Sequence, residues 1–283
     1  MKYTISDFLS DKKYVRISDK LIVFSVKIMY LGIRMILLIL GRKKRNEIFL
    51  KHNFALFTML HNFFPNRLFL IHMPGANCKA YVKTGSSYED EGITELFNPK
   101  ENDIVIDVGA HIGKYTLKAG HLIGNSGQII SLEPNPETFK ILVKNIKFNK
   151  INALPLNIAA SNSKGKTKFY LADYRGEDSI IISSPDFKFF EVNTDTLDNI
   201  IQSLNLLKVD WIKIDVQGAE EWVLEGAQNI IQKNRNLKLI IEIHEEKYGK
   251  PIKEILKKAG FNYKIFSRPT HPTNYHILAS RSE

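Results

Sequence analysis

Only one cysteine, Cys78, occurs in this chain of 283 residues. A lone thiol cannot close an internal disulfide and cannot build a cysteine metal cluster. That fits a reducing compartment, and the expected location is the cytoplasm. Cationic excess is also missing from most of the chain. Lys and Arg outnumber Asp and Glu by 40 to 30 overall, yet residues 1–60 alone hold 12 basic against 4 acidic residues. Residues 61–283 hold 28 against 26 and are nearly neutral. A protein that grips a phosphate backbone needs a basic stripe near its active site, so nucleic acid is not the expected partner. No run of small residues follows the first apolar stretch, which argues against a removable signal peptide.

What is present reads as globular. Hydrophobic residues make up 44% and charged residues 25% of the chain, and its length suffices for one buried α/β domain plus an appendage. The appendage is residues 1–64. Residues 21–40 hold 16 apolar side chains, interrupted by Ser25, Lys27, Gly32 and Arg34. Twenty helical residues would span a bilayer core, but each cation held at its centre costs about 2.5–3.5 kcal/mol. Lys13, Lys20, Lys27 and Arg34 recur every seven residues, which draws one cationic stripe along a helix. Such a helix suits the headgroup plane. The run Arg42-Lys43-Lys44-Arg45 adds attraction for anionic lipid of roughly 1 kcal/mol per residue. Residues 16–45 are therefore a candidate membrane-associating segment on the cytoplasmic face. The competing expectation is a helix packed on the rest of the protein or on a second copy, its basic stripe in water. A further apolar run, 48–64, predicts another helix and favours neither.

From residue 65 onward the pattern changes. Short β-like pieces at 68–72 and 78–84 precede a predicted helix at 92–97. An alternating α/β pattern follows, which predicts a mostly parallel sheet. The strand Asp103-Ile104-Val105-Ile106-Asp107 feeds Val108-Gly109-Ala110-His111-Ile112-Gly113 and a helix over 114–123, closed by Gly124. Gly109 lets backbone approach a ligand, and Gly113 lets the helix start against the sheet. In that loop the backbone of His111 is expected to matter more than its ring. A second strand, 128–132, ends at Glu133, an acid placed to accept hydrogen bonds from ribose hydroxyls. Asn135 is the expected helix cap, with Pro136 in the first turn. The dinucleotide fingerprint needs three glycines where this chain has Asp107, Gly109 and Ile112, so the tight pyrophosphate turn is missing. An acid at Asp107 suits a positively charged ligand instead, such as the ammonium and sulfonium of S-adenosylmethionine.

Further blocks lie downstream. They are Leu132-Glu133-Pro134-Asn135-Pro136, Thr196-Leu197-Asp198, Trp211-Ile212-Lys213-Ile214-Asp215-Val216-Gln217-Gly218-Ala219-Glu220 and Ile240-Ile241-Glu242-Ile243-His244. With Ser87-Tyr88-Glu89 and the loop at 104–113, they make residues 88–278 resemble the FkbM-type methyltransferase family, whose members mainly O-methylate. The resemblance implies an α/β class I methyltransferase, a Rossmann-like seven-stranded mostly parallel sheet, here with an α-helical N-terminal extension. S-adenosyl-L-methionine would sit at the carboxyl ends of its strands. Asp107, Gly109, Ala110 and Gly113 would line the methionine end, and Glu133 would hold the ribose with Pro134 and Asn135 beside it. Asn157, Ile158, Ala159 and Ala160 would end the third strand and border the adenine. The implied acceptor is a small molecule, a sugar or a lipid-linked glycan. Where the family commonly has an acid this chain has Gln217, so no metal ligand is assigned.

Catalytic candidates come from the strand ends. Asp215 closes the strand 211–214 and is read as an acceptor-side base or cofactor neighbour, against a purely helix-capping role. Glu220 falls in a first helical turn, where the helix dipole favours an acid in any case. Glu242 and His244 share a face by the period-two rule. The acid there would orient His244 as a base, and with Asp215 the pair has the composition of a divalent-metal site. Glu89 is a further candidate from the preceding loop. Two other functions compete: an RNA methyltransferase that uses the basic N-terminus, and a non-catalytic scaffold on the same fold.

Overall fold

The computed structural model describes residues 68–73, 76, 78–83, 93–171, 178–181, 188–267 and 273–281. The N-terminal segments at 16–45 and 48–64, and the candidate Glu89, lie outside the described residues. Among the described residues no helix is long and apolar enough to cross a membrane. The chain divides into two compact units, Met1–His72 with Lys79–Ser87, and Met73–Cys78 with Tyr88–Glu283. Strands β1 (Leu68–Met73) and β2 (Cys78–Lys83) pair as a two-stranded sheet. The Cys78 thiol is buried, and burial pushes its pKa up to about 11, the behaviour of an inert rather than a reactive cysteine.

The second unit is built on a seven-stranded sheet. After the short helix α1 (Ile93–Leu96), the chain runs β3 (Ile104–Val108), α2 (Lys114–Ile123), β4 (Gln128–Leu132), α3 (Pro136–Asn149) and β5 (Ala153–Leu156). It returns with α4 (Leu197–Ser203), β9 (Trp211–Ile214), α5 (Glu220–Glu225), α6 (Gln228–Lys233), β10 (Lys238–Ile243), α7 (Glu246–Lys258), β11 (Asn262–Ser267) and β12 (Tyr275–Ser280). The strand order is β11-β12-β10-β9-β3-β4-β5. Pairing is parallel across β10, β9, β3, β4 and β5, and antiparallel on both sides of β12. From β3 the chain winds outward through β4 and β5, then crosses back to β9 on the other side. Strand order therefore reverses between β3 and β9, and in open α/β sheets ligands occupy the crevice at that point.

Strand parity sorts the side chains onto two faces. Ile106, Val108, Ile212, Ile214, Leu239 and Ile241 face one side and pack under α4 to α7. Val105, Ile129, Trp211 and Ile240 face the other with Phe97, Ala119 and Ile123. The same parity sends Asp107, Lys213, Asp215, Glu242, His244 and His276 to this second face. In register, Asp107 lies beside Lys213, and Glu242 beside His276. An apolar sheet thus carries one row of charge near its carboxyl edge.

Local chemistry sets the helix starts. Gly113 takes φ 99° at the head of α2, and a Cβ there would come within 2.8 Å of Leu142. Asn135 caps α3, its side chain accepting from the N–H groups of Glu137 and Thr138, with Pro136 first in the helix. The third strand differs from expectation. It ends at Leu156, and Ala159–Ala160 instead forms β6 of a separate three-stranded sheet with β7 (Gly165–Tyr170) and β8 (Phe189–Asp195), in the order β6-β8-β7. Asn157 and Ile158 bridge the two sheets because the Asn157 side chain donates to the carbonyls of Glu133 and Pro134 and turns the chain.

Ile212 sits fully buried on the central strand β9. Ile212→Ala is expected to lower unfolding free energy by about 2–5 kcal/mol. Urea unfolding followed by far-UV circular dichroism measures this, and an unchanged midpoint would contradict the packing described.

Candidate active site

The turn after β3 is held against the end of β9. Gly109 takes φ 70°, and a Cβ built on it would lie 1.8 Å from the Asp215 carbonyl oxygen. No L side chain fits between these two backbones. His111 also has positive φ, at 52°, and its N–H donates to Glu133 Oε2 at 2.8 Å. The Asn135 N–H donates to Glu133 Oε1 at 2.9 Å. The carboxylate of Glu133 is thereby aimed by the loops after β3 and β4. Burial pushes its pKa up to about 7, even though both N–H groups pull it down.

These loops open on a cleft of about 670 Å³, including the space at its solvent mouth. Leu132, Ile158, Ala159, Ala160, Phe169 and Ile180 give it an apolar wall. Gly109, His111 and Pro134 contribute to the floor, and Glu133, Asp178 and Asp215 contribute carboxylates. Among the described residues no Lys or Arg lines it. An apolar slot suits an adenine. Glu133 already accepts two N–H groups, and an ionised carboxylate has about four acceptor positions, so two remain for a ribose diol. The three lining acids Glu133, Asp178 and Asp215 disfavour a diphosphate and favour a sulfonium or an ammonium. The residues fit S-adenosylmethionine.

Of the residues singled out in the sequence, Gly109, His111, Glu133, Pro134, Ile158, Ala159, Ala160 and Asp215 line this cleft. Ala110, Gly113, Asn135 and Asn157 stand behind the lining. Ala110 N–H donates to the Leu132 carbonyl, and Asn135 Nδ2 donates to Asp178 Oδ2 at 3.0 Å. Asp107 is not among the residues that line this cleft. It is fully buried, and its Oδ2 accepts from the N–H and the hydroxyl of Thr116 at 2.9 and 2.6 Å. Its other oxygen lies 3.5 Å from Lys213 Nζ. By strand parity the Asp107 side chain points to the α2 face, one residue before the loop that opens on the cleft.

Lys213 was legible as a lysine in an apolar strand but gave no hint of its partners. Its Nζ donates to the Gly109 carbonyl at 2.8 Å and stands 3.5 Å from both Asp107 Oδ1 and Asp215 Oδ2. Burial alone would push its pKa down, but the carboxylates of Asp215, Asp107 and Glu242 more than offset that and raise it. Tyr115 lies beneath the ammonium, 5.3 Å from ring centroid to Nζ. Burial, with Glu242 repelling the phenolate, raises the Tyr115 pKa.

Asp215 lies on the cleft wall and does not cap a helix; α5 begins after Ala219 without a side-chain cap. Gln217 Nε2 donates to Asp215 Oδ1 at 3.0 Å. His244 is brought to the same place, with Nε2 3.6 Å from Asp215 Oδ1 and 3.5 Å from Glu242 Oε1. Its Nδ1 is 3.4 Å from Oε1 of the fully buried Glu220. His276, unremarked in the sequence, stands 3.4 Å from Glu242 Oε2. Burial and then repulsion from Glu242 raise the Asp215 pKa, opposed by Lys213 and His244. For His244, burial lowers the pKa, but Glu220, Asp215 and Glu242 outweigh it and carry it to about 9. Carboxylates thus stand against both nitrogens of the imidazole and favour its protonated form.

A reversing parallel sheet with an acid-lined nucleoside cleft at its switch point defines a class I S-adenosylmethionine-dependent methyltransferase. The chain belongs to the FkbM methyltransferase family, whose domain matches residues 107–263. It is 26% identical over 170 residues to the hexuronic acid methyltransferase AglP of Haloferax volcanii, covering 60% of this chain and 68% of that protein. Among solved structures, it is similar to the precorrin-6y C5,15-methyltransferase of Geobacter metallireducens, at 13% identity and a TM-score of 0.47, covering 70% of this chain and 90% of the other. A second similar structure is Aeropyrum pernix fibrillarin with natively bound S-adenosyl-L-methionine, at 16% identity and a TM-score of 0.46, covering 76% and 83%.

Two outcomes follow from this geometry. Gly109→Ala must part the β3 turn from the Asp215 carbonyl, and its affinity for S-adenosylmethionine should fall by more than about tenfold; calorimetry that finds wild-type affinity would contradict the close approach. Glu133 supplies a pH dependence. Its folded, ligand-free pKa lies above the ordinary carboxylate range, so the apo protein holds a proton up to about pH 7. Ribose hydroxyls favour the ionised form, so binding releases that proton. Affinity should therefore rise about tenfold from pH 6 to pH 8 and level off above. Glu133→Gln should flatten the profile, and an equally steep profile in that variant would assign the proton elsewhere.

Proposed function

We propose that this protein methylates a hydroxyl oxygen of a sugar acceptor, a hexuronic acid unit of a glycan or lipid-linked glycan. The observation that carries this is the position of Asp215, an ionisable oxygen base on the wall of the cofactor cleft, beside a further group of carboxylates and histidines. The relative named for hexuronic acid supports the acceptor class. S-adenosylmethionine held in the cleft would supply an electrophilic methyl carbon, from which sulfur would leave with the bonding electron pair as the acceptor oxygen attached. What the chain provides is alignment and a proton acceptor. In-line displacement gains most of its rate from fixing the attacking oxygen against the methyl carbon. Asp215 accepts the hydrogen bond of the attacking hydroxyl and takes its proton as the new bond forms, which contributes roughly 10²–10⁴-fold. Gln217 and Lys213 hold the two Asp215 oxygens, and His244 braces the carboxylate from the β10 side. The basic, apolar segment 16–45 would bring the enzyme to the membrane surface where lipid-linked acceptors lie.

A hexuronic acid also offers a carboxylate oxygen, which carries no proton to remove. The two targets separate in one experiment. Full-length protein is incubated with S-adenosylmethionine and a hexuronic acid glycoside, and the product is analysed by mass spectrometry before and after mild alkali. A base-stable methyl ether is expected, with kcat in Asp215→Asn reduced by about 10²–10⁴-fold and cofactor affinity preserved. A base-labile methyl ester formed equally well by Asp215→Asn would remove Asp215 from the base role.

A further inference from the structure

Two carboxylates and an imidazole converge at the carboxyl ends of β9 and β10 without closing hydrogen bonds on one another. His244 Nε2 stands 3.6 Å from Asp215 Oδ1 and 3.5 Å from Glu242 Oε1. A direct N–H···O bond would draw each pair to about 2.7–3.2 Å. Donors that share one six-coordinate ion, at bonds of about 2.1 Å and angles near 90°, stand roughly 3.0 Å apart, so these side chains need draw together by only about half an ångström to hold one. The donor atoms of Asp215, Glu242 and His244 all lie within 4.8 Å of one another.

A second observation lies behind the imidazole. Glu220 is fully buried; its Oε1 accepts the Gly218 N–H at 3.0 Å and lies 3.4 Å from His244 Nδ1, while its Oε2 accepts no hydrogen bond. A carboxylate against the far nitrogen fixes the ring so that the near nitrogen faces an ion, the outer-carboxylate arrangement of metal-bound histidines. The other two side chains are steadied in the same way. Glu242 Oε2 stands 3.4 Å from His276 Nε2, and Asp215 Oδ1 accepts the Gln217 amide at 3.0 Å. Lys213 faces Asp215 Oδ2, the oxygen turned away from His244. All three donor side chains are partly exposed, between 14% and 26%, which leaves room for further ligands.

We propose that Asp215, Glu242 and His244 bind a hard divalent cation of the Mn²⁺ or Mg²⁺ kind, with Glu220 orienting the imidazole, and that acceptor oxygens complete its coordination. Two carboxylate oxygens with one imidazole favour that class over a soft ion. A divalent cation also inverts the local field. Without it, Asp215, Glu220 and Glu242 would repel an anionic hexuronate; with it, the acceptor's carboxylate and hydroxyl oxygens are drawn to the cofactor. This second half rests on the hexuronate proposal, whereas cation binding does not. Gln217, which replaces a family acid, then acts as a donor that steadies the Asp215 ligand.

The test is a titration of the full-length, EDTA-treated protein with Mn²⁺, read by electron paramagnetic resonance and calorimetry. One ion per chain is expected, lost or weakened more than about tenfold in Glu242→Gln and His244→Gln, and roughly 10–100-fold in Glu220→Gln. Thermal unfolding and binding of S-adenosylmethionine show that each variant is folded. If wild-type protein binds S-adenosylmethionine but no Mn²⁺, the cation site is overturned and the methyltransferase assignment stands. Mn²⁺ binding that survives all the substitutions places the ion elsewhere and overturns it equally. Adding glucuronate with S-adenosylhomocysteine should change the Mn²⁺ spectrum; an unchanged spectrum overturns the acceptor-coordinating half alone.

Discussion

The buried ammonium of Lys213 holds the two halves of the site together. Its position on β9 places it opposite Asp107 on β3, and its Nζ reaches across to the Gly109 carbonyl. The turn that makes the cofactor cleft and the strand end that carries Asp215 are thus tied to one charge. A cation buried among apolar strands is costly unless paired and hydrogen-bonded. Here two carboxylates and a carbonyl meet that requirement. The contact also explains why Asp107 is an acid: it balances Lys213 and anchors Thr116 at the head of α2.

From that anchor the site divides into two electrostatic halves. On the cofactor side, Glu133 is the best-held acid, aimed by N–H groups from both neighbouring loops. On the acceptor side, Asp215, Glu220 and Glu242 surround His244, and cations, whether protons, Lys213 or a metal ion, relieve their mutual repulsion. A neutral or anionic sugar approaching this side meets either an imidazolium or a divalent ion. The difference between those two states decides how strongly the acceptor is held. It does not alter the cofactor side, because no residue of the acidic group other than Asp215 lines the cleft.

Much of this was legible in the sequence, for reasons that differ by residue. The strands at 128–132 and 211–214 and the helix at 114–123 were read with the bounds observed, because β-branched runs, a closing glycine and a capping Asn-Pro leave little alternative. The period-two rule put Glu242 and His244 on one face, and they meet there. Parity likewise places Asp107 on the face that packs against α2, where it meets Thr116. Other features depend on distant partners. Asp178 reaches the cleft from beyond β7, and nothing local marks it. His276 acquires its neighbour only through the antiparallel pairing of β12 with β10. The third strand was read four residues too long because Ala159 and Ala160 are as compatible with one sheet as with the other.

The central claim is that the turn at Gly109 and the carboxylate of Glu133 together hold a sulfonium nucleoside. A crystal structure with S-adenosylhomocysteine tests it most directly. The account predicts the ribose hydroxyls on Glu133 and the sulfur beside Gly109, facing Asp215. Nucleoside density outside this cleft, or a ribose that Glu133 does not touch, would contradict it.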